Sequence, residues 1–178
     1  MNLYLRLLIL FIRSRFKPRL GLMDKSVLKF YVLPSDLDIN MHMNNGRFNS
    51  IMDLGRVDIM LRTGFLKIMH QRKWLGVVGS IHTRFRRPLK LFQAYELQSQ
   101  VIYWDDKWTW IEHKMYSPGE PKGKLKGKLI CSALVQTIIL KKGEHVSTDE
   151  IHQLLSFDKP SPQITDEIAH LEKFEPIK

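Results

Sequence analysis

The sequence predicts one α+β domain, with a long central helix lying against a curved, mainly antiparallel sheet. Three observations carry this expectation. A chain of 178 residues suits a single domain. Apolar residues recur with helical spacing at Phe48, Ile51, Met52, Leu54, Val57, Ile59, Met60 and Leu61. Four segments rich in β-branched and aromatic residues then follow: Trp74 to Phe85, Phe92 to Trp104, Trp108 to Ser117 and Lys128 to Leu140.

The chain divides into an N-terminal segment (1–22), a folded domain (23–157) and a polar tail (158–178) in which weak order is expected. Residues Met1 to Phe16 are apolar with Arg6, Arg13 and Arg15 interspersed. The run Leu7 to Ile12 falls well short of the roughly 20 apolar residues that span a bilayer. No small-residue cleavage site follows it, which argues against a signal peptide. Two readings remain open: an amphipathic helix on an anionic membrane, or a helix packed on the domain or a partner subunit.

Leu28 to Leu33 alternates and ends at Pro34, which predicts a first strand. Ser35 to Gly46 is polar and reads as a loop, because Asp and Asn favour turns and caps. Gly64 is placed to stop the long helix, and Phe65 to Gln71 predicts a short second one. Asp105-Asp106-Lys107 is a polar connection suited to a hairpin. Pro118 to Lys126 reads as a mobile Gly/Pro/Lys loop, and Thr148 to Phe157 as a short helix.

Net charge is +10, with four basic residues in each of Arg13–Arg19, Arg84–Lys90 and Lys122–Lys128. Such an excess points to anionic partners or to solubilising patches. No nucleic-acid-binding motif accompanies it, so nucleic acid is not an expected partner. Cys131 is the only cysteine, which excludes an internal disulfide and fits a reducing, cytoplasmic compartment, with or without membrane association. It lies in an apolar run and is expected in the core.

Chemistry concentrates in Asp36 to Asn45, which holds two carboxylates, one imidazole and three amides just before the long helix. A helix start offers unpaired backbone amides and the positive end of a dipole. It therefore stabilises an oxygen that gains negative charge, and a neighbouring carboxylate completes what acyl transfer needs. Capping alone selects the same residue types. Composition leaves both readings open.

The run Asp36-Leu37-Asp38-Ile39-Asn40-Met41-His42-Met43-Asn44-Asn45 resembles the signature of acyl thioesterases of the 4-hydroxybenzoyl-CoA thioesterase superfamily. Asp38-Ile39-Asn40-Met41-His42 is also similar to the core of plant acyl-ACP thioesterases. With Leu33-Pro34-Ser35, Phe85-Arg86-Arg87 and Trp104-Asp105-Asp106, the likeness is greatest to the relatives of mammalian thioesterase superfamily member six. It covers Leu33 to Tyr116.

The resemblance implies a hotdog fold and hydrolysis of an acyl-CoA or acyl-ACP thioester. Asp38 matches the family's nucleophile or general base. Asn40 and His42 match the polar network around it, and Asn45 the helix-start amide that polarises the thioester carbonyl. His42 as the base, oriented by Asn40 or Asp38, is a further option. Asp36 matches a carboxylate that caps or braces the loop. The plant enzymes carry a further acid after the aromatic-Arg-Arg run; here Pro88 follows, leaving a one-carboxylate arrangement.

Arg84, Arg86, Arg87 and Lys90 are candidates for the phosphates of coenzyme A. Strand alternation would send Arg84 and Arg86 to one face and Arg87 to the other. No metal and no cofactor beyond the coenzyme A of the substrate is expected. The resemblance further implies a homodimer or homotetramer joined edge to edge; the strands around Trp104, Trp108 and Trp110 are candidates for that contact and equally for the core. Two other functions are carried forward. One is a hotdog hydratase or dehydratase, although the Asp38 to His42 spacing is short for that group. The other is a non-catalytic acyl- or lipid-binding protein held at a membrane by Met1 to Arg19.

Overall fold

The computed structural model describes residues 2–118 and 127–172. Its elements in chain order are α1 (Asn2–Ser14), β1 (Ser26–Tyr31), a 3-10 turn (Pro34–Asp36), α2 (Asn45–Thr63), α3 (Phe65–Arg72), β2 (Leu75–Phe85), β3 (Ala94–Trp104), β4 (Thr109–Tyr116), β5 (Leu129–Lys141), β6 (Glu144–His145), α4 (Thr148–Leu154) and α5 (Asp166–Glu172). The strands form one sheet in the order β1-β3-β4-β5-β2, with β6 beside β5. All pairings are antiparallel. This sheet curls around α2, the hotdog arrangement that the sequence led us to expect.

The central helix begins and ends where its residues dictate. Asn44 is the N-cap, its side chain accepting the Gly46 N–H at 2.8 Å. Gly64 closes the helix in the left-handed region (φ 82°), which a side chain would strain. Phe48, Ile51, Met52 and Leu54 are buried against Leu97, Met115, Ile130 and Ala133 of the sheet. Burial of each such apolar side chain contributes roughly 1.5–3 kcal/mol. Gly55 allows the closest approach: a Cβ there would overlap Ser99 Oγ on β3.

A second side of α2 is also covered. α1 packs on it, burying Leu10, with Leu3 and Leu7 seated on the same core. Buried Asp58 then ties α2 to β1, accepting the Ser26 hydroxyl at 2.6 Å and Arg62 Nη1 at 3.2 Å.

One expectation is changed. The tail expected to be weakly ordered carries α5, whose Ile168 is fully buried in one cluster with Trp110 and Leu134. Of the two places open to the tryptophans, Trp104 and Trp110 take the core, Trp104 edge-on to His152 and Phe157. Beyond Pro118, the loop expected up to Lys126 lies outside the described residues.

Candidate active site

The polar loop is a small hairpin clamped at both ends. Pro34 opens the 3-10 turn, and the Asp36 N–H donates to the Leu33 carbonyl at 2.9 Å. Leu37 then bridges Met43, and Asp38 N–H donates to His42 O at 2.8 Å. The turn between them needs Met41 at φ 58°, a strained conformation for a side-chain-bearing residue. On its far side Met43 N–H donates to Leu89 O at 2.9 Å, and His42 bridges Lys90. The chain enters α2 directly from this clamp.

Asp36 and Asp38 diverge sharply. Asp36 is 1% exposed. Its Oδ2 accepts Arg6 Nη2 at 2.6 Å and the Leu33 N–H at 2.9 Å, while its carbonyl accepts the Asn44 N–H at 2.8 Å. It is a brace joining α1, the loop and the start of α2. Asp38 is half-buried at the mouth of a cleft, its Oδ1 accepting the Asn40 N–H at 2.9 Å and, more distantly, the His42 N–H at 3.4 Å.

That cleft, about 370 Å³, gathers Asp38, Asn40, His42 and Asn45 with Phe48, Phe85, Arg86 and Arg87. Asn45 is the first residue of α2, so its N–H has no carbonyl one turn back within the helix. The site thus combines a carboxylate, an imidazole, a helix-start amide and two guanidinium groups. Such a set can activate a nucleophile, hold an oxyanion and bind phosphate.

The basic cluster is split. β2 ends at Phe85, and the N–H groups of Arg86 and Arg87 both converge on Ile130 O, at 2.8 and 3.1 Å. Alternation therefore stops after Arg86, and both residues line the cleft; Arg87 is steadied by donating to Leu129 O at 2.8 Å. Arg84 does not line this cleft and lies 3.6 Å from Glu167 of α5, in a second hollow that Arg86 also lines, so Arg84 and Arg86 share a face as alternation predicts. Lys90 reaches the site through its backbone, beside His42.

Two buried networks escaped the sequence reading. One is the Arg6–Asp36 pair. The other runs from Asp53 through Arg56 to His113, which lies 3.2 Å from Arg56 Nη1 and 2.8 Å from Ser99 Oγ. Burial, with the neighbouring Arg56 charge, holds the His113 imidazole well below its ordinary range. No local pattern marks partners 30 or 57 positions apart. Cys131 is a core residue as expected, its thiol pushed up to about 12 by burial.

A partly open, mostly apolar cavity of about 150 Å³ lies under the far half of α2, among Arg56, Ile59, Met60, Gly76, Val101 and Ile111. The 14 residues from Asn45 to Ile59 place it roughly 21 Å along the helix from the Asp38 end.

A helix wrapped by antiparallel sheet, with a cleft holding one carboxylate and two arginines at the helix start, is the arrangement of a hotdog-fold protein of the thioester hydrolase class. Residues 32–169 match the model of the Thioesterase-like superfamily, and the chain belongs to that family. Among curated relatives, Protein THEM6 of Xenopus laevis is 29% identical over 167 residues, covering 89% of this chain and 74% of the relative. Probable thioesterase YBR096W of Saccharomyces cerevisiae is 27% identical, covering 74% of this chain but only 55% of the relative. Among solved structures, the probable thioesterase YbaW of Escherichia coli superposes with a TM-score of 0.64 at 22% identity, over 75% of this chain and 98% of that one. A mutant 4-hydroxybenzoyl CoA thioesterase in complex with 4-hydroxybenzoyl CoA gives 0.64 at 10% identity, over 74% and 97%. These likenesses carry the fold.

Proposed function

We propose that the chain hydrolyses acyl-CoA thioesters, with Asp38 as the reactive carboxylate. The observation that carries this reading is the meeting of Asp38, the Asn45 N–H and Arg86 with Arg87 in one cleft. The thioester carbonyl oxygen would face the Asn45 amide, where the helix dipole favours growing negative charge. Asp38 attacks the carbonyl carbon, or takes a proton from a water that does. The carbon–sulfur bond breaks and the thiolate leaves. Water supplies the oxygen that replaces sulfur, either in the released acid or in the regenerated Asp38 carboxylate, and the protons that balance both products. Asn40 holds Asp38 through its backbone N–H, and His42 stands ready to exchange a proton. Arg86 and Arg87 take the phosphates of the carrier.

The expected partner is a second copy of the chain. β2 pairs with β5 on one flank, and among the described residues nothing pairs with its other flank. An open edge of 11 residues is a ready template for another strand. Two-fold pairing of like edges is antiparallel. It would turn the Asp38 end of one copy toward the Gly76 end of the other, where the apolar cavity lies. An acyl group bound at one copy's carboxylate would then have the other copy's cavity beside it.

Free thiol released from a panel of short, long and aromatic acyl-CoAs and acyl-ACPs tests the reaction. Turnover that Asp38→Asn leaves untouched would remove Asp38 from its centre. In a single turnover in 18O-labelled water, label found in Asp38 establishes direct attack, with water entering at the Asp38 carboxyl carbon of the anhydride, and a trapped acyl-Asp38 adduct reports direct attack when water enters at the acyl carbon.

One observation favours a second reading, binding of an acyl carrier without hydrolysis. The Asp38 carboxylate is engaged in its own turn with Asn40, as a purely structural brace would be. Tight binding of acyl-CoA with no thiol released would select it.

A further inference from the structure

α1 faces two ways. Arg6, Leu7 and Leu10 point into the domain, and Arg6 is fixed by Asp36 at 2.6 Å and by the Tyr31 carbonyl at 3.1 Å. Among the described residues nothing covers the opposite side. Tyr4, Leu5, Leu8 and Ile12 are 78, 58, 57 and 54% exposed, and Phe16 just past the helix is 86% exposed. Leu5, Leu8 and Ile12, spaced by three and four, share one face. Single exposed apolar residues are ordinary, but a ridge of five is not.

The surrounding charge says what covers this ridge. No acidic residue precedes Asp24, whereas Arg13 lies in the last turn of the helix and Arg15, Lys17 and Arg19 follow it. Between α1 and β1 runs a groove of about 250 Å³, apolar along its floor and edged by Arg13, Lys17 and Lys29. A second copy of a chain with net charge +10 would bring like charges together on this face. An anionic lipid surface instead matches both parts of the pattern, taking the apolar ridge among its acyl chains and the cations among its phosphates. The 13 helical residues reach about 20 Å, short of the roughly 30 Å hydrocarbon core. Among the described residues no helix is long and apolar enough to cross a membrane.

We propose that the outer face of α1, with Arg13, Arg15, Lys17 and Arg19, docks on an anionic bilayer while the inner face stays seated on the domain. The helix is already formed and held by the Arg6–Asp36 bridge, so docking needs no coil-to-helix transition. The proposal stands apart from the hydrolase reading, because vesicle binding is measured without turnover.

The full chain would be sedimented with vesicles of phosphatidylcholine alone and of phosphatidylcholine with one quarter phosphatidylglycerol. The expected result is binding to the anionic vesicles only, weakened by high salt. Leu5→Glu, Leu8→Glu and Ile12→Glu combined should reduce it at least ten-fold, and neutralising the four cations to Gln should do the same. These side chains are exposed, so circular dichroism should match the parent. A Leu8→Trp variant gives an independent readout, since its fluorescence should shift to the blue on anionic vesicles. Absence of binding to anionic vesicles, binding untouched by both sets of changes, or a gain of helix on adding lipid would each overturn the proposal. So would a self-association in solution that the three glutamates abolish, which would assign the face to a second copy.

Discussion

Asp36 and Asp38 stand two residues apart in one loop and have opposite surroundings. Asp36 is out of water, its charge met by Arg6 and by backbone N–H groups. Asp38 is half-buried, held from one side by its own turn, with its cleft shared by Arg86 and Arg87. The difference teaches that a carboxylate's role is set by what reaches it from elsewhere in the chain. Arg6 comes from α1, thirty positions away, and makes Asp36 a brace. Arg86 and Arg87 come from the end of β2 and leave Asp38 facing space that a ligand can occupy.

Four measurements would break or sharpen this contrast. The largest effect belongs to Asp38→Asn, for which thiol release should fall roughly 10²–10⁴-fold, the usual range for losing a general base. Its urea midpoint should hardly move, and a large loss of stability would make Asp38 a brace as well. Asp36→Ala should behave in the opposite sense. It strands a buried guanidinium, and breaking such a pair costs about 3–5 kcal/mol, read as a lowered urea midpoint.

Third, Arg87→Ala should raise KM about 10–100-fold with kcat less affected, the loss of one charged hydrogen bond of about 1.5–3 kcal/mol. Arg84→Ala, on a residue turned toward α5, should leave both constants unchanged. Equal effects from the two would mean that the substrate crosses to the outer face.

The smallest effect separates His42 of the cleft from His113 of the core. Burial and Arg56 hold the folded-state pKa of His113 below its ordinary 6.5, so the unfolded chain binds its proton more readily. The stability this histidine contributes is therefore complete above about pH 6.5 and lost as the pH falls below it. The slope is at most about 1.4 kcal/mol per pH unit for one such group. Urea midpoints at pH 7.5 and pH 5 check the sign. His42→Ala should retain the slope, and the conservative exchange His113→Gln should flatten it.

Most of the architecture was legible because it is local. The period of Phe48 to Leu61, the stop at Gly64 and the aromatic strands each declare themselves within a few residues. The order of weakly patterned α5 was not legible, since Ile168 becomes a core residue only when Trp110 and Leu134 are brought to it. In the loop, the residue types needed for acyl transfer could be read, and so could the helix start beside them. The resemblance implied that Asp36 braces the loop, but that Arg6 of α1 would be what closes it off could not be read.

The N-terminus draws the same boundary. Its apolar and arginine content left two readings, a helix on a membrane or a helix on the domain. The structure divides the helix between an inner face that packs and an outer face left bare. By itself, then, the sequence determined the elements, their order and the loop in which chemistry concentrates, because hydrophobic period, caps and turn residues act over a few positions. Only the tertiary structure decided which charges are paired, which arginines share the cleft with Asp38 and which side of α1 remains open. Those outcomes depend on groups tens of residues apart meeting in space, and no short-range pattern encodes such a meeting.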